Sequence, residues 1–150
     1  MTAMASPAPQ FDILRIWPEG RKAMMAVDVV CAEEAVPERL LELVRLWCSV
    51  RNGCGFCVAM HRSAAIVCGV ELDSVDRLAN GELPEALSAG ERAALQLAGA
   101  LTGAIDARTV NDATREVGEH FSPRQAAVLI YVIAAINAWN RIAIAGGLDA

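Results

Sequence analysis

The most apolar part of the sequence is AAVLIYVIAAI, residues 126–136, and it constrains the fold more than any other segment. A strong helix start precedes it, with Ser122 at the N-cap, Pro123 at the first helical position and Gln125 at the third. The pattern predicts a helix that continues to about Ala145. A helix that is apolar nearly all round must be buried on most sides. One chain of 150 residues can barely enclose it, so we expect further subunits to cover the rest.

Helical signals continue along most of the chain, and the alternating β-branched runs of a β-sheet are missing. Pro37 fits the first position of one helix, Gly53 ends that helix, and Ser88 with Glu91 forms a capping box for another. The predicted helices cover residues 20–33, 37–52, 54–69, 71–79, 89–102, 106–120 and 123–145. Residues 1–150 are therefore predicted to form one all-α domain, a bundle of six to seven helices, with an irregular N-terminal segment over residues 1–18.

Charge and composition exclude several classes of protein. Thirteen basic and eighteen acidic residues give a net charge of −5, and no basic patch is visible, so no nucleic-acid partner is expected. The N-terminal MTAMASPAPQ lacks the basic and apolar regions of a signal peptide. The apolar run 126–136 falls well short of the roughly 18 residues that span a membrane. Five cysteines, an odd number, argue against a secreted disulfide framework. We expect a soluble cytoplasmic protein without membrane contact.

The stretch GCGFCVAMH places Cys54, Cys57 and His61 within eight residues. On a helix their spacing of i, i+3 and i+7 puts the three side chains on one face. Cys54 would lie at the helix N-terminus, where free N–H groups favour a thiolate, and His61 would lie one turn beyond Cys57. A thiolate is the reactive form of cysteine, and a neighbouring imidazole can take its proton.

Spacing alone leaves three interpretations of this motif. The pair can be a redox-active dithiol that reduces a peroxide through a sulfenic acid and then a disulfide. It can belong to a zinc site, although structural zinc usually takes two separated ligand pairs, and only His120 offers itself as a fourth ligand. It can also be two core cysteines on an apolar face. For Cys31, Cys48 and Cys68, which have no partner at short spacing, burial in the core is the favoured interpretation.

The motif Cys-x-x-Cys-x-x-x-His, with Glu42 twelve residues before Cys54, resembles the alkylhydroperoxidase D / carboxymuconolactone decarboxylase family. The C-terminal INAWNRIAI is similar to the last helix of that family, and the resemblance covers roughly residues 20 to 145. It implies an AhpD-like all-α fold and a homo-oligomer, commonly a trimer or hexamer. It also implies an antioxidant thiol peroxidase site in which Glu42, Cys54, Cys57 and His61 form a proton relay.

The same resemblance implies a dithiol partner, such as a lipoyl-bearing or thioredoxin-like protein, that reduces the disulfide again. No cofactor and no metal are expected. The decarboxylase branch lacks the cysteine pair, so the pair places the chain on the peroxidase-like side. The chain departs from the best-studied peroxidases of the family at one position, because Phe56 stands where they carry a histidine just before the second cysteine.

Glu42 has two interpretations. Glu42, Arg45 and Ser49 stand at i, i+3 and i+7, so they can simply be the solvent face of their helix, with a Glu–Arg pair worth a few tenths of a kcal/mol. That is the favoured interpretation of the local pattern. The family position instead points Glu42 toward the cysteines as the final proton acceptor.

The function predicted first is a thiol-dependent peroxidase, with Cys57 as the favoured nucleophile and Cys54 as the resolving cysteine. The helix N-terminus favours the opposite order. A non-enzymatic dithiol module that senses redox state or passes electrons is the first alternative. A carboxymuconolactone decarboxylase-like lyase, which would not need the cysteines, is the second.

In NAWNR we expect Trp139 to pack, and Asn137, Asn140 and Arg141 to cap or cross-link helices in the oligomer.

Overall fold

Eight α-helices form the regular structure of residues 12–148, the part of the chain that the computed structural model describes. They are α1 (Ile13–Ile16), α2 (Pro18–Ala32), α3 (Glu38–Asn52), α4 (Gly55–Val67), α5 (Leu72–Ala79), α6 (Ala89–Ala100), α7 (Ala107–His120) and α8 (Pro123–Ala145). No strand occurs within this range. The predicted all-α class is confirmed, and seven of the eight helices coincide with predicted ones to within a few residues.

The predicted N-terminal segment is wrong in its last part. Residues 1–11 lie outside the described residues, but Ile13–Ile16 forms the additional short helix α1, and α2 begins already at Pro18. The fixed φ of proline suits a first helical position. Ile13 packs against the end of α8, where a Cβ on Gly146 would come within 2.6 Å of it. This tertiary contact holds a short helix that has little local signal.

The capping signals locate the helix starts well. Ser122 and Gln125 exchange hydrogen bonds of 3.0 and 3.2 Å at the start of α8, and Ser88 makes the same capping box with Glu91 at the start of α6. Pro37 differs from the prediction, because it occupies the N-cap of α3 with an extended conformation and the helix begins one residue later.

Helix α3 lies at the centre of the fold. Every residue from Leu40 to Ser49 is buried, and α3 packs against α4, α5, α6 and α8. The inner face of α8 completes the core with fully buried side chains such as Leu129 and Ile133. A helix that is enclosed on all sides buries its polar residues together with its apolar ones, and this property of α3 sets up the site described below.

Helix α8 has the length and apolar composition of a membrane span, but half of its most apolar stretch is buried inside the chain. The core helix of a soluble protein has the same properties. Its outer face leaves Ile130 and Tyr131 exposed, and the adjacent α2 leaves Val29 and Val30 exposed. Apolar side chains of both helices meet here, since Val30 and Tyr131 line one shallow surface groove.

We propose that further copies of the chain cover this α2–α8 surface. Light scattering at micromolar concentration should then report a multiple of 15.9 kDa, and Tyr131→Asp should lower the mass because a carboxylate resists burial in an apolar contact. The matched change Thr114→Asp, on the exposed polar face of α7, should leave the mass unchanged. A 15.9 kDa species for the unaltered chain would contradict the proposal.

Candidate active site

A tight connection between α3 and α4 brings the motif residues opposite Glu42. Gly53 ends α3 in the left-handed conformation, with φ of 69°, and Cys54 is the N-cap of α4. The chain therefore reverses within two residues, and α4 folds back along α3. Residues at comparable distances before and after the turn meet, which is how Glu42 on α3 reaches His61 on α4, 19 positions away.

Cys54 and Cys57 are joined as a disulfide, with 5.3 Å between their Cα atoms. Both are buried, Cys54 completely and Cys57 with 2 % of its surface exposed. The backbone N–H of Cys57 also donates to Sγ of Cys54 at 3.3 Å, so a sulfur acts as the helix cap. The predicted common face is present, because Cys54, Cys57 and His61 all point into the protein.

Glu42 connects the histidine to a buried arginine. Its Oε2 lies 2.8 Å from Nδ1 of His61, and its Oε1 accepts a 2.6 Å hydrogen bond from Nη1 of Arg45. Glu42, Arg45 and Ser49 are only 5, 8 and 0 % exposed. The favoured interpretation of their spacing as a solvent face is therefore wrong. These polar residues lie on an inner face of α3 because neighbouring helices cover that face too.

The surroundings of Glu42 decide its charge. Burial acts to raise the pKa of its carboxyl, but the hydrogen bond and charge of His61, together with those of Arg45, outweigh burial and hold the pKa of Glu42 below its ordinary value. An ionised carboxylate only accepts hydrogen bonds, so Nδ1 of His61 carries the proton between them. In the neutral ring Nε2 then has a free lone pair. Nε2 is buried and has no hydrogen-bond partner among residues 12–148.

A cavity of about 530 Å³ opens beside the disulfide and the imidazole. Cys57, His61 and Arg45 are part of its wall, whereas Cys54 is not. Most of the remaining lining is apolar and comes from four helices and the C-terminal turn: Leu14, Met25, Val29, Ala32, Phe56, Met60, Ile136, Trp139, Ile142, Ala143 and Leu148. Phe56, just before the second cysteine, is part of this apolar wall.

The remaining three cysteines lie outside the disulfide and do not line the cavity. Cys31 and Cys48 are buried, as expected, and Cys68 is only partly so. Burial raises the pKa of the Cys48 thiol to about 11, and it also raises the pKa values of Cys31 and Cys68. All three therefore favour the unreactive thiol form at neutral pH.

The polar residues of α8 cross-link helices within one chain. Asn137 donates to Thr102, and Asn140 donates to Ser49 at 3.0 Å, while both accept from Asn52. Trp139 is half-buried and donates a 2.7 Å hydrogen bond to Asp28 of α2. Asn52, Thr102 and Asp28 were not foreseen, because nothing in their local sequence marks them as partners of residues 35 to 111 positions away.

The described residues contain no group of three or more His, Cys, Asp or Glu side chains placed to hold a metal ion. His120, the suggested fourth zinc ligand, lies at the end of α7 and contacts Glu116. The structure therefore assembles the four sequence-predicted residues, Glu42, Cys54, Cys57 and His61, and leaves His120 elsewhere. Arg45 joins them although its role was missed, since its spacing on α3 matched an exposed ion pair.

Comparison with known proteins shows the family of the chain. The sequence profile of the carboxymuconolactone decarboxylase family matches residues 17–100, more than half of the chain. The chain belongs to this family. It is 33 % identical over 132 residues to the uncharacterized protein YdfG of Bacillus subtilis strain 168, covering 88 % of the chain and 90 % of that protein.

Solved structures of AhpD-like proteins share the fold. One is a protein of unknown function from Agrobacterium tumefaciens, provisionally assigned to AhpD-type antioxidant defence, with a TM-score of 0.82 and 29 % identity over 91 % of this chain and 93 % of that one. Another is an uncharacterized peroxidase-related protein with an AhpD core from Ralstonia eutropha JMP134, with a TM-score of 0.73, 21 % identity and coverage of 87 % and 70 %. The second similarity shows the fold alone.

The Cys54–Cys57 disulfide should be reversible. We expect the 54–57 bridge to open with dithiothreitol and to form again with mild peroxide, since the two cysteines lie at a helix start with 5.3 Å between their Cα atoms. Mass spectrometry of trapped thiols checks this. A stable sulfinic acid at Cys57, with Cys54 still free, would contradict a resolving role for Cys54.

Glu42→Gln should separate a proton relay from a packing role, because it keeps the shape of the side chain and removes the carboxylate that accepts a proton. The pH dependence of iodoacetamide alkylation at reduced Cys54 and Cys57 should move to higher pH, and any reaction that needs the base should slow by roughly 10²- to 10⁴-fold. Glu38→Gln is the matched control, since Glu38 also binds Arg45 but does not contact His61. Coincident curves for wild type and Glu42→Gln would show that Glu42 takes no part in proton transfer.

Proposed function

We propose that the protein is a thiol-dependent peroxidase of the alkylhydroperoxidase type, in which Cys54 and Cys57 carry two electrons and Glu42 and His61 move the proton. The observation that carries the proposal is that Cys57 and His61 line one cavity, while Glu42 holds the other side of the imidazole at 2.8 Å. A nucleophile, a base and a residue that orients the base are the elements of an activated thiol.

In the reduced protein, Nε2 of His61 accepts the proton of the Cys57 thiol. Its lone pair is free because Nδ1–H is bound to Glu42. The resulting thiolate attacks one oxygen of the hydroperoxide, so that an S–O bond forms and the O–O bond breaks. The leaving alkoxide takes the proton back from His61 and departs as an alcohol. Cys57 is then a sulfenic acid.

The Cys54 sulfur attacks the sulfenic sulfur, the S–S bond forms, and the oxygen leaves as water with the thiol proton. The peroxide has then gained two electrons from the pair. An external dithiol must return those two electrons, and the geometry suits a slender one. With Cys57 2 % exposed and Cys54 fully buried, a lipoyl arm can enter the cavity more readily than the surface of a thioredoxin-like protein.

The walls of the cavity favour an organic peroxide over hydrogen peroxide. Its largely apolar lining and volume of about 530 Å³ suit a substrate with a hydrocarbon part. The AhpD-like neighbour from Agrobacterium tumefaciens, with its provisional assignment to antioxidant defence, is consistent with this class of reaction.

A steady-state assay with cumene hydroperoxide and dihydrolipoamide tests the proposal. The unaltered protein should consume peroxide, and Cys57→Ser should reduce the rate to the uncatalysed background because serine cannot form the sulfenic acid. Cys68→Ser, which changes a cysteine outside the disulfide, should keep the wild-type rate.

The outcomes also separate the alternatives. Reversible oxidation without peroxide turnover would favour the non-enzymatic dithiol module. Lactone decarboxylation that survives in Cys57→Ser would favour the lyase.

A further inference from the structure

We propose that Arg45 is a positioning residue of this site, which together with His61 keeps Glu42 ionised and thereby extends to lower pH the range in which His61 can accept the Cys57 proton. The role concerns the relay of the peroxidase proposed above. It differs from the role of the four motif residues, because Arg45 contacts neither the cysteines nor the imidazole through any hydrogen bond and acts through one carboxylate.

The contacts of Arg45 are those of a buried clamp. Nη1 donates to Oε1 of Glu42 at 2.6 Å and to Oε1 of Glu38 at 3.1 Å. The side chains of Arg45 and Glu42 are 9 and 7 % exposed, while that of Glu38 is 49 % exposed. The guanidinium therefore joins an inner carboxylate, which faces the histidine, to an outer one, which faces water.

The ion pair between Arg45 and Glu42 matters because both side chains are buried. Desolvation favours a neutral carboxyl, and an opposite charge within hydrogen-bond distance favours the ionised one. The carboxylates of Glu42, Glu38 and Asp28 outweigh the burial of Arg45 itself and raise its pKa, so the cation persists throughout the working pH range. Arg45 is thus a permanent positive charge at the one oxygen of Glu42 that His61 does not use.

The state of Glu42 decides the direction of the relay. As a carboxylate it accepts Nδ1–H and leaves Nε2 free to take a proton from Cys57. As a neutral acid it would donate its own proton to Nδ1, and the remaining ring proton would lie on Nε2. That tautomer cannot accept the thiol proton. Loss of Arg45 should therefore raise the pKa of the Glu42 carboxyl and disable the base at any pH at which that carboxyl is protonated.

The other titratable groups near Arg45 cannot supply the positive charge that it places beside Glu42. Helix α2 supplies Asp28, which is bound to Trp139, along with Arg21 at the cavity wall and the thiol of Cys31. From α4 comes His61, and Cys68 follows that helix. The four α8 residues in the cavity wall carry no charge: Ile136, Trp139, Ile142 and Ala143. Of the two groups that pair with Glu42, Arg45 and His61, only Arg45 is a permanent cation.

The test compares the pH profile of iodoacetamide alkylation at reduced Cys57 in wild type, Arg45→Met and Arg45→Lys. Methionine keeps much of the length without the charge, so the acid limb should move up by about one pH unit or more. Lysine keeps the charge and should keep most of the wild-type profile. Coincident Met and wild-type profiles, or equal shifts in Met and Lys, would overturn the proposal.

A double-mutant cycle shows whether Arg45 acts through Glu42. Adding Arg45→Met to Glu42→Gln should shift the profile little further, because the carboxylate that Arg45 controls is already absent. A further shift as large as the one in the wild-type background would overturn the proposal. Arg39→Met is the matched control on the same helix, since Arg39 pairs with Glu91 and Glu71 instead. An equal shift there would show a general effect of lost charge and would also overturn it.

A measurement on the unaltered protein covers the case in which Arg45→Met does not fold. Carbon-13 NMR of the Glu42 carboxyl, assigned by comparison with Glu42→Gln, should show a titration midpoint below the ordinary value for a glutamate. Titration at or above that value would refute the proposed role of Arg45. Neither alkylation nor NMR needs peroxide turnover. A chain that does not reduce peroxide would thus refute the proposed function while both measurements still report on Arg45.

Discussion

The hydrogen bond between Glu42 and His61 joins the two central parts of this protein, the largely buried helix α3 and the disulfide-bearing helix α4. A carboxylate inside a protein is costly unless charges and hydrogen bonds compensate for its lost hydration. Arg45 and His61 supply that compensation, one at each oxygen. Removing one partner from a buried ion pair typically lowers the free energy of unfolding by about 3–5 kcal/mol. The ion cluster therefore stabilises the fold as well as the site.

The position of the site follows from the way the chain turns. Gly53 lets the chain reverse between α3 and α4, and Cys54 caps the new helix with its own sulfur. One local arrangement thus closes the disulfide, orients Cys57 toward the cavity and aligns His61 with Glu42. The hydrogen bond from Asn140 to Ser49 then fixes α3 against α8, which contributes part of the cavity wall.

The sequence predicted helix starts and the shared face of the motif correctly, because these features depend on neighbouring residues alone. Ser122 and Gln125 begin α8 because a capping box needs only neighbouring residues, and the spacing of Cys54, Cys57 and His61 places them on one helical face. The short helix at residues 13–16 was missed because its support comes from Gly146, at the other end of the chain. Asn137 and Asn140 were expected to cap or cross-link helices in the oligomer, and they cross-link helices of one chain with partners far away in sequence.

The sequence by itself determined the all-α class, most helix boundaries and the chemistry of the motif, because periodicity, capping and the bonding of two nearby thiols depend on a few consecutive residues. It did not determine which way Glu42 and Arg45 face. Their spacing of three residues is identical in a surface ion pair and in a buried one. Only the packing of several helices around α3 removed water from that face. The same ion pair thereby became the support of a histidine 19 residues away.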